Sequence, residues 1–442
     1  MNLSFFKKLI PKKILNLRHW WFAWYGAFKY HHPSHELLVI GVTGTSGKST
    51  TVFLLRQLLE SAGYRVGSLS TIDFYIAGEN KLNDQKMTML GKYATQKYLR
   101  EMVEKKCDVA IVETTSEGQL QYRNHFIAYD MMVLTNLYPE HIEAHGGYEN
   151  YKEAKLNIFR RAAEYGKNKI ITNPIEKTFI INGDILEAQE FLQTGEARKI
   201  IFGKNSGAMG KIQNVEKLFL SESGSDANGL HGVIDNQIIS APMYGEHNLL
   251  NITAAATVCR VLGVGWEKIR PAINHLHNAP GRNEFIPEAE KHGFKVIVDY
   301  AFEPKAMAAL YEVVKFLATQ RIIHVFGSTG GGRDISRRFT VGEFVGSHAD
   351  FCIITDEDPY DDDPHKIMED VASAVRKTGK VDDQDLFLVV NRHLAIEKAV
   401  KMAKPGDLIL VTGKGSEQAI VSKGQKIPWD DRQVVRDELA KL

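Results

Sequence analysis

The sequence predicts an α/β protein with a doubly wound, mostly parallel sheet, followed by a smaller Rossmann-like α/β domain. From residue 36 onward, short apolar runs alternate with segments of helical period, as in chains of β-α-β units. A glycine loop lies between the first apolar run and the first helical segment. A second series of apolar runs begins after Asn278–Arg282, where proline and glycine interrupt both periods.

The elements of the first series follow from periodicity and from the glycines that end them. Leu37–Ile40 is predicted to be a buried strand, and Thr51–Ala62 an amphipathic helix that ends at Gly63. The pattern further predicts strands over 66–72, 109–113 and 131–136 and helices over 95–105 and 248–262. Between about 170 and 245 the periods shorten, which predicts small β elements beside the main sheet.

The second series predicts strands over 295–299, 322–326, 351–355, 386–390 and 408–412. Together the two series divide the chain into a segment 1–35, a central domain 36–277 and a C-terminal domain 278–442, with a hinge expected near Asn278–Arg282. A chain of 442 residues is long enough for two or three domains, which agrees with this division.

Composition excludes several classes of protein. The formal net charge is +1, so no overall field favours nucleic acid as a partner. The cysteines Cys107, Cys259 and Cys352 lie far apart without a CxxC spacing, which excludes a disulfide scaffold and a cysteine-based zinc site and favours a reducing cytoplasm. No apolar run approaches the roughly 20 residues that span a bilayer.

The N-terminal segment 5–32 combines basic residues with aromatic residues. Three of the five tryptophans of the chain fall within positions 20–24. Arg18 and His19 interrupt the apolar part, so a signal peptide is not expected. Two interpretations stay open: a helix that contacts the membrane interface, and a helix that packs on the protein itself or on a second copy.

The glycine loop indicates a phosphate-binding loop. Its residues are Gly44, Thr45, Ser46, Gly47, Lys48, Ser49 and Thr50. Backbone amides at a helix start can bind phosphates, Lys48 can reach the outer phosphates of ATP, and Ser49 can ligate Mg²⁺. The loop departs from the usual Walker spacing because Val42 occupies the position of the first glycine.

Several blocks in order resemble the Mur ligase superfamily, and most closely its MurE type, which adds the third residue of a muramoyl peptide. The blocks are Gly41–Thr50, Val112–Gly118, Thr135–Gly146 and Tyr151–Lys155. The resemblance implies an ATP-dependent ligase that forms an amide bond through an acyl phosphate, in peptidoglycan synthesis. It also implies that Glu113 and His141 bind Mg²⁺ together with Ser49, and that Lys155 is carboxylated on Nζ. The expected catalytic residues are Lys48, Glu113, His141 and Lys155.

Further blocks resemble the nucleotide-contacting segments of the same family. Gly245–Asn251 implies that Asn248 and Asn251 contact the adenine, although such asparagines often only cap a helix. Pro280–Glu284 and Asp299–Pro304 imply ATP contacts by Arg282, Asp299 and Tyr300. Phe302 stands where the family has a histidine.

The acceptor segments are less similar to the family. The resemblance implies that Arg333, Gly413 and Glu417 bind the incoming amino acid, and that Glu357 and Asp358 fall in the specificity tetrad. The tetrad arginine is replaced by Tyr360, which removes a partner for a distal carboxylate. The run 361–363, three aspartates, favours a cationic amino acid such as lysine or ornithine, or is a solvated loop.

On the donor side, Thr88, Thr115, Gln121 and Arg123 match positions that contact the muramoyl dipeptide in the family. About forty residues precede the loop, whereas MurE-type enzymes carry a UDP-binding domain there, so that domain is expected to be absent and a lipid-linked donor is conceivable. Two alternatives remain: a ligase for another carboxylate, of the folylpolyglutamate synthetase or amidating type, and a non-catalytic homologue that acts as an assembly factor. The expected location is the cytoplasm, at the inner face of the membrane if the N-terminal helix binds lipid.

Overall fold

The computed structural model describes residues 12–83, 85, 87–139, 145–166, 174–204, 206–226, 228–317 and 319–442. The chain divides into two compact units. The first unit comprises residues up to 225 together with 229–277, and the second comprises 226–228 and 278–442.

The helices of the first unit are α1 Lys12–Lys29, α2 Lys48–Ser61, α3 Lys92–Glu104, α4 Ser116–Leu120, α5 Tyr148–Glu164, α6 Ala188–Leu192, α7 Ser206–Gly210, α8 His247–Val261 and α9 Trp266–Ile273. Its strands are β1 Leu38–Thr43, β2 Val66–Leu69, β3 Asp73–Ile76, β4 Glu79–Leu82, β5 Val109–Glu113, β6 Met131–Leu134, β7 Thr178–Asn182, β8 Arg198–Gly203, β9 Glu216–Asp226, β10 Gly229–Ile234 and β11 Gln237–Ala241.

These eleven strands form one sheet in the order β11-β10-β9-β8-β7-β6-β1-β5-β2-β3-β4. The strands from β9 to β2 in this order pair in parallel, whereas β2-β3, β3-β4 and β10-β11 are antiparallel. All six residues of β1 are buried, as expected for a central strand covered on both faces. Val42 of β1 lies opposite Glu113 of β5, so that glutamate reaches the edge of the sheet where the glycine loop begins.

Several sequence predictions for this sheet are wrong in detail. Strands β2 and β6 end at Leu69 and Leu134, earlier than the predicted residues 72 and 136. Strand β1 continues through Gly41 to Thr43, so the loop proper starts at Gly44. A Cβ on Gly41 would lie 2.4 Å from the sulfur of Met132, which explains a glycine inside a strand. The β elements after residue 170 were predicted beside the main sheet but are part of it, because β7 to β11 extend that sheet from β6. Their runs are too short for periodicity to show which sheet they join.

Helix α1 packs against α3 through small residues. Ala23 and Ala27 are fully buried, and a Cβ on Gly26 would lie 3.2 Å from the Cα of Tyr93 in α3. The aromatic side chains of α1 remain between 37% and 59% exposed. They are Trp20, Trp21, Phe22, Trp24, Tyr25 and Phe28. One face of α1 therefore packs on the protein itself, and the exposed aromatic residues stay available for a further contact. None of the helices in the described ranges is both long enough and apolar enough to cross a membrane.

The second unit contains helices α10 Pro304–Val314, α11 Ser336–His348, α12 Pro364–Arg376, α13 Arg392–Met402 and α14 Asp431–Leu439. Its strands are β12 Glu284–Phe285, β13 Lys295–Asp299, β14 Ile322–Phe326, β15 Phe351–Ile354, β16 Leu386–Leu388, β17 Leu408–Thr412, β18 Ala419–Ser422 and β19 Gln425–Pro428. Six of them form a sheet in the order β12-β13-β17-β14-β15-β16, parallel except at β12-β13. The predicted bounds of β13, β14 and β17 are confirmed.

Candidate active site

The glycine loop connects β1 to α2, and helix α2 begins at Lys48. Gly47 has φ +74°, a left-handed conformation that favours glycine, and a Cβ there would lie 2.6 Å from Oδ1 of Asn251. A Cβ on Gly44 would lie 1.9 Å from the hydroxyl of Thr135. Both glycines therefore allow the loop backbone to approach its neighbours closely.

The segment after β6 holds the loop in shape. Oδ1 of Asn136 accepts hydrogen bonds from the backbone N–H of Thr45, at 3.0 Å, and of Ser46, at 2.9 Å. The Thr135 hydroxyl donates to the Ser46 carbonyl at 2.7 Å. The loop is thus fixed before any phosphate binds, so less order must be imposed on binding.

Glu113 lies buried beside the first turn of α2. The hydroxyl of Ser49 donates to both carboxylate oxygens of Glu113, at 3.1 and 3.0 Å. Thr71 adds a backbone N–H at 2.7 Å and a hydroxyl at 3.0 Å to Oε2 of the same carboxylate. A hydroxyl and a carboxylate in contact give an oxygen-only pair of the kind that hard divalent cations bind.

Two lysines approach the loop from different elements. Nζ of Lys48 donates to the carbonyls of Gly44 and Thr45, at 3.1 and 2.8 Å. Lys155, on α5, is almost fully buried, and its Nζ donates to the Gly44 carbonyl at 2.8 Å. Tyr151 on the same helix places its ring 4.7 Å from that Nζ and donates from its hydroxyl to Thr45 Oγ1 at 3.0 Å.

His145 lies next to this group, at the end of the segment that contains His141. Its Nε2 is 3.2 Å from the Ser116 hydroxyl, and its ring meets Tyr151 edge to face at 5.2 Å. Burial, and then the charge of Lys155, lower the pKa of His145. His141, expected to bind the metal, lies outside the described residues.

The two asparagines of α8 form a chain of hydrogen bonds behind the loop. Oδ1 of Asn251 accepts from the Thr51 hydroxyl at 3.2 Å, and its amide donates to Asn248 at 3.0 Å. Asn248 in turn donates to the Tyr244 carbonyl at 2.9 Å. Asn251 therefore contacts the loop directly, whereas Asn248 is connected to the loop only through Asn251.

The residues expected on the donor side surround helix α4. Thr115 caps this helix by accepting from the Gly118 N–H at 2.9 Å. Arg123 donates to Oε1 of Gln121, at 2.6 and 3.1 Å, and to the Met89 carbonyl at 2.6 Å. Thr88 directly precedes Met89, so all four predicted positions belong to one region beside α4.

In the second unit, Arg282 lies over the ring of Tyr300 at 4.2 Å. Asp299 accepts from the N–H of Asn283 at 2.6 Å and of Ala301 at 2.7 Å, which fixes the end of β13. Burial raises the pKa of the Tyr300 phenol, so it stays neutral. The three residues predicted to contact ATP from this unit are therefore neighbours.

The predicted amino-acid site is a buried network of charged residues. Nζ of Lys414 donates to Asp358 at 2.9 Å and also to Glu417. Burial raises the pKa of Glu357 to about 7, although Arg392 and Lys414 oppose this rise. Oε2 of Glu357 is buried with no hydrogen-bond partner in the described structure. Gly413, with φ +104°, passes so close that a Cβ would lie 2.7 Å from the Glu357 carboxyl carbon.

The remaining acceptor residues are more exposed. Arg333 is exposed on the loop before α11. In the aspartate run, Asp363 caps α12 by accepting from the His365 N–H at 3.0 Å. Asp362 accepts from the Gly331 N–H at 3.0 Å. Two of the three aspartates therefore stabilise the loops themselves, and Asp361 is exposed.

Comparisons with known proteins match both units. Residues 42–259 match the Mur ligase middle domain, and residues 281–415 match the Mur ligase glutamate ligase domain. The UDP-N-acetylmuramoyl-L-alanyl-D-glutamate–2,6-diaminopimelate ligase 1 of Clostridium acetobutylicum is 30% identical, over 94% of this chain and 81% of its own length. The UDP-N-acetylmuramyl-tripeptide synthetase of Borreliella burgdorferi is 31% identical, over 93% and 78%. This chain belongs to the Mur ligase family.

Solved structures show the same fold. A UDP-N-acetylmuramoyl-L-alanyl-D-glutamate–2,6-diaminopimelate ligase superposes with a TM-score of 0.61 at 24% identity, over 92% of this chain and 79% of its own. The folylpolyglutamate synthase of Mycobacterium tuberculosis, solved with ADP, superposes with a TM-score of 0.65 at 16% identity, over 91% and 92%. Like its family, this Mur ligase is an ATP-dependent enzyme that forms peptide bonds.

Several contacts of this Mur ligase were not predicted as site residues. Thr135, Asn136 and Tyr151 lie in blocks that the sequence already singled out, so their positions carried a signal. Lys414 likewise lies between the predicted Gly413 and Glu417. Thr71 had no signal, because the sequence placed it inside the predicted strand 66–72 and only the pairing of β2 with β5 brings it to Glu113.

Proposed function

We propose that this Mur ligase adds an amino acid to a muramoyl-dipeptide precursor of peptidoglycan, in the cytoplasm. One observation carries the proposal: Glu113 and Lys155, from two different elements, both meet the phosphate loop, at Ser49 and at Gly44. A protein that only binds nucleotide needs the loop, whereas phosphoryl transfer to a carboxylate also needs groups that offset the charge of two anions. The named relatives act on precursors of this kind.

The proposed reaction has two steps. The donor carboxylate attacks the γ-phosphorus of ATP and ADP leaves, which gives an acyl phosphate. The amino group of the incoming amino acid then attacks the acyl carbon and phosphate leaves as the amide forms. Lys48 and the loop amides hold the phosphates during the first step. Arg282, Asp299 and Tyr300 are proposed as further ATP contacts, with Asn248 and Asn251 on the adenine side.

Mg²⁺ is proposed as the metal. Ser49 and Glu113 fit it because both offer oxygen ligands, they are in contact, and Thr71 orients the carboxylate. His141 is the further proposed ligand. The ion would neutralise charge on the phosphates when bound.

Lys155 is proposed to be carboxylated by CO₂ on Nζ, which would replace a buried cation by an anion. The reaction joins the unprotonated amine to CO₂ and releases one proton. Growth on ¹³C-labelled bicarbonate is expected to give a carbamate carbon signal in the ¹³C spectrum that is lost in Lys155→Met. A spectrum without that signal in the wild type would contradict the modification.

The amino acid is proposed to be lysine or ornithine. Tyr360 occupies the position where a distal carboxylate would need arginine, and Asp361 is the exposed acid of the run that does not hold the loops. Arg333, Glu357, Asp358, Gly413 and Glu417 are the residues proposed to bind it. With Asp361→Asn, KM for lysine is expected to rise on the order of tenfold while KM for ATP is unchanged. An equal change in both would argue against direct contact.

The function is tested by phosphate release and by mass spectrometry of the product. The enzyme receives ATP, Mg²⁺, UDP-MurNAc-dipeptide or its lipid-linked form, and a panel of amino acids. A product heavier by one amino-acid residue, with Glu113→Gln slower by at least on the order of a hundredfold, is expected. Turnover only with a folate-type donor or with ammonia would favour the other ligase types, and no stimulation above basal ATP hydrolysis would favour an assembly factor.

Helix α1 is proposed to contact the membrane interface with its exposed aromatic face. Trp21 stacks on Tyr25 at 5.3 Å and Trp24 on Phe28 at 5.5 Å, so these rings form a continuous surface away from the buried alanines. Trp and Tyr favour the headgroup region of bilayers. The intact protein is expected to float with anionic liposomes, and the triple variant Trp21→Ser, Trp24→Ser, Phe28→Ser is expected not to. Equal behaviour of the two would contradict membrane contact.

A further inference from the structure

A cluster of basic side chains lies where α1 meets α3 and the end of α4. We call Arg18, His19, Lys92 and Arg123 the basic cluster. Nζ of Lys92 lies 2.6 Å from Nδ1 of His19, so the imidazole accepts while the ammonium donates. Nζ of Lys92 also donates to the Gln121 carbonyl at 2.7 Å. Lys92 therefore connects His19 of α1 to Gln121, which Arg123 also contacts, and Arg18 is the neighbour of His19 in α1.

The charges of the basic cluster have no carboxylate partner in the described part of the chain. None of its four members forms an ion pair there. The nearest acid by hydrogen bonding is the exposed Glu117, which accepts from the amide of Gln121 at 2.8 Å. Burial, and then the charges of Arg123 and Arg18, lower the pKa of Lys92 to about 8. Burial, and then the charges of Lys92, Arg18 and Arg123, lower the pKa of His19. An anion would relieve this repulsion.

The cluster lies at the ligand edge of the main sheet. Strand β5 ends at Glu113, helix α4 begins three residues later, and Gln121 follows that helix directly. One short helix thus separates the proposed metal ligand from the residue that Lys92 and Arg123 both contact. A ligand bound beside α4 can therefore present one end to the phosphate loop side and another to the basic cluster.

We propose that the basic cluster binds the diphosphate group of the activated muramoyl donor. A diphosphate carries two or more negative charges, which matches the several positive charges of the cluster better than a single carboxylate does. This inference rests on the proposed function, since it assumes a donor with such a group. The donor could be linked through the diphosphate to a nucleotide or to a lipid, and the chemistry that the cluster recognises is the same in both.

The first test measures binding without any turnover. Inorganic diphosphate is titrated calorimetrically into the full-length protein after a non-hydrolysable ATP analogue has saturated the phosphate loop. Lys92→Met and Arg18→Gln are each expected to raise Kd on the order of tenfold, because each removes one charged hydrogen-bond donor. Lys97→Met, an exposed lysine of the same helix α3, is the matched control and is expected to leave Kd unchanged. Equal Kd values for the wild type and both cluster variants would overturn the proposal.

The second test identifies the group on the donor. KM is measured for nucleotide-linked and lipid-linked MurNAc-dipeptide and for MurNAc-dipeptide without a diphosphate. The cluster variants are expected to have a higher KM than the wild type only for donors that carry the diphosphate. In the wild type, whichever of the nucleotide-linked and lipid-linked donors has the lower KM identifies the group attached to the diphosphate. An equal rise for all three donors would overturn the diphosphate assignment. If no donor is ligated, the proposed function fails, whereas the calorimetric result still decides whether the cluster binds diphosphate.

Discussion

At the scale of single residues, Thr71 is expected to position Glu113 for metal binding. Thr71→Val removes the hydroxyl that donates to Oε2 of Glu113 and keeps the backbone N–H. Groups that orient a metal ligand typically change metal affinity by roughly 10- to 100-fold. The Mg²⁺ concentration for half-maximal rate should rise by that factor, with kcat restored at high Mg²⁺. Thr340→Val, on the surface of α11, is the control, and a loss of kcat that Mg²⁺ does not restore would contradict the prediction.

Glu357 should make the stability of the protein depend on pH. Its pKa in the folded state is about 7, above the ordinary value of 4.5. Below about pH 4.5 the carboxyl is protonated in both the folded and the unfolded state, so its burial does not lower the free energy of unfolding. As pH rises from there to 7, the unfolded state loses its proton first, so folding stability falls by an amount on the order of 3 kcal/mol and stays lower above pH 7.

Glu357→Gln should remove this loss of stability. The difference in free energy of unfolding between the variant and the wild type, from urea titrations, should shift in favour of the variant between pH 4.5 and pH 8. Glu369→Gln changes an acid on the exposed surface of α12 and should show a much smaller shift. A pH-independent difference for Glu357→Gln would mean that the carboxyl is ionised in the folded state across this range.

At the scale of elements, the attachment of α1 depends on the small residues that face α3. Gly26→Leu would place a side chain against the Tyr93 backbone, where even a Cβ lies at 3.2 Å. Overpacking of this kind costs about 1–3 kcal/mol. Trypsin should therefore cleave at Lys29 and Arg18 faster in this variant, while the global unfolding midpoint changes little. Phe28→Leu, on the exposed face, should be cleaved like the wild type, and equal cleavage of Gly26→Leu would contradict the predicted attachment.

Elements with a strong local pattern could be predicted, and others depended on tertiary pairing. Strands β5, β13 and β17 have the predicted bounds because each is a continuous apolar run between polar residues. The run before the loop was predicted too short, since Gly41 reads as a strand breaker until its packing on Met132 is known. The strands after residue 170 were assigned to the wrong place because sheet membership is not encoded locally.

The candidate site shows the same contrast. Ser49, Glu113 and Lys155 were predicted from blocks with fixed spacing, and the structure brings them to the loop. For the aspartate run the sequence left two interpretations open, a contact with a cationic side chain and a solvated loop, and only the structure shows that Asp362 and Asp363 hold the surrounding loops. The basic cluster could not be predicted, because Arg18 and Lys92 lie 74 positions apart and no local pattern relates α1 to α3.

At the scale of the whole molecule, we expect the second unit to fold by itself, because its core and its buried ion pair lie within it. Residues of its six-stranded sheet and of its helices form a hydrophobic core of their own. Arg392 and Asp431, both in this unit, form a buried ion pair through two hydrogen bonds of 2.7 Å. A fragment of residues 278–442 is therefore expected to unfold cooperatively in urea.

Trp429 provides the probe for this fragment, because it is the one tryptophan in that range and its Nε1 donates to Asp431 at 2.8 Å. Arg392→Met leaves Asp431 buried without its cation, so the free energy of unfolding should fall by about 3–5 kcal/mol. Arg376→Met breaks only surface pairs, with Glu369 and with Asp382, and should cost less than about 1 kcal/mol. If the fragment showed no cooperative transition, the core of the second unit would need the rest of the chain. Equal losses in the two variants would mean instead that the buried arginine contributes no more than one that forms only surface pairs.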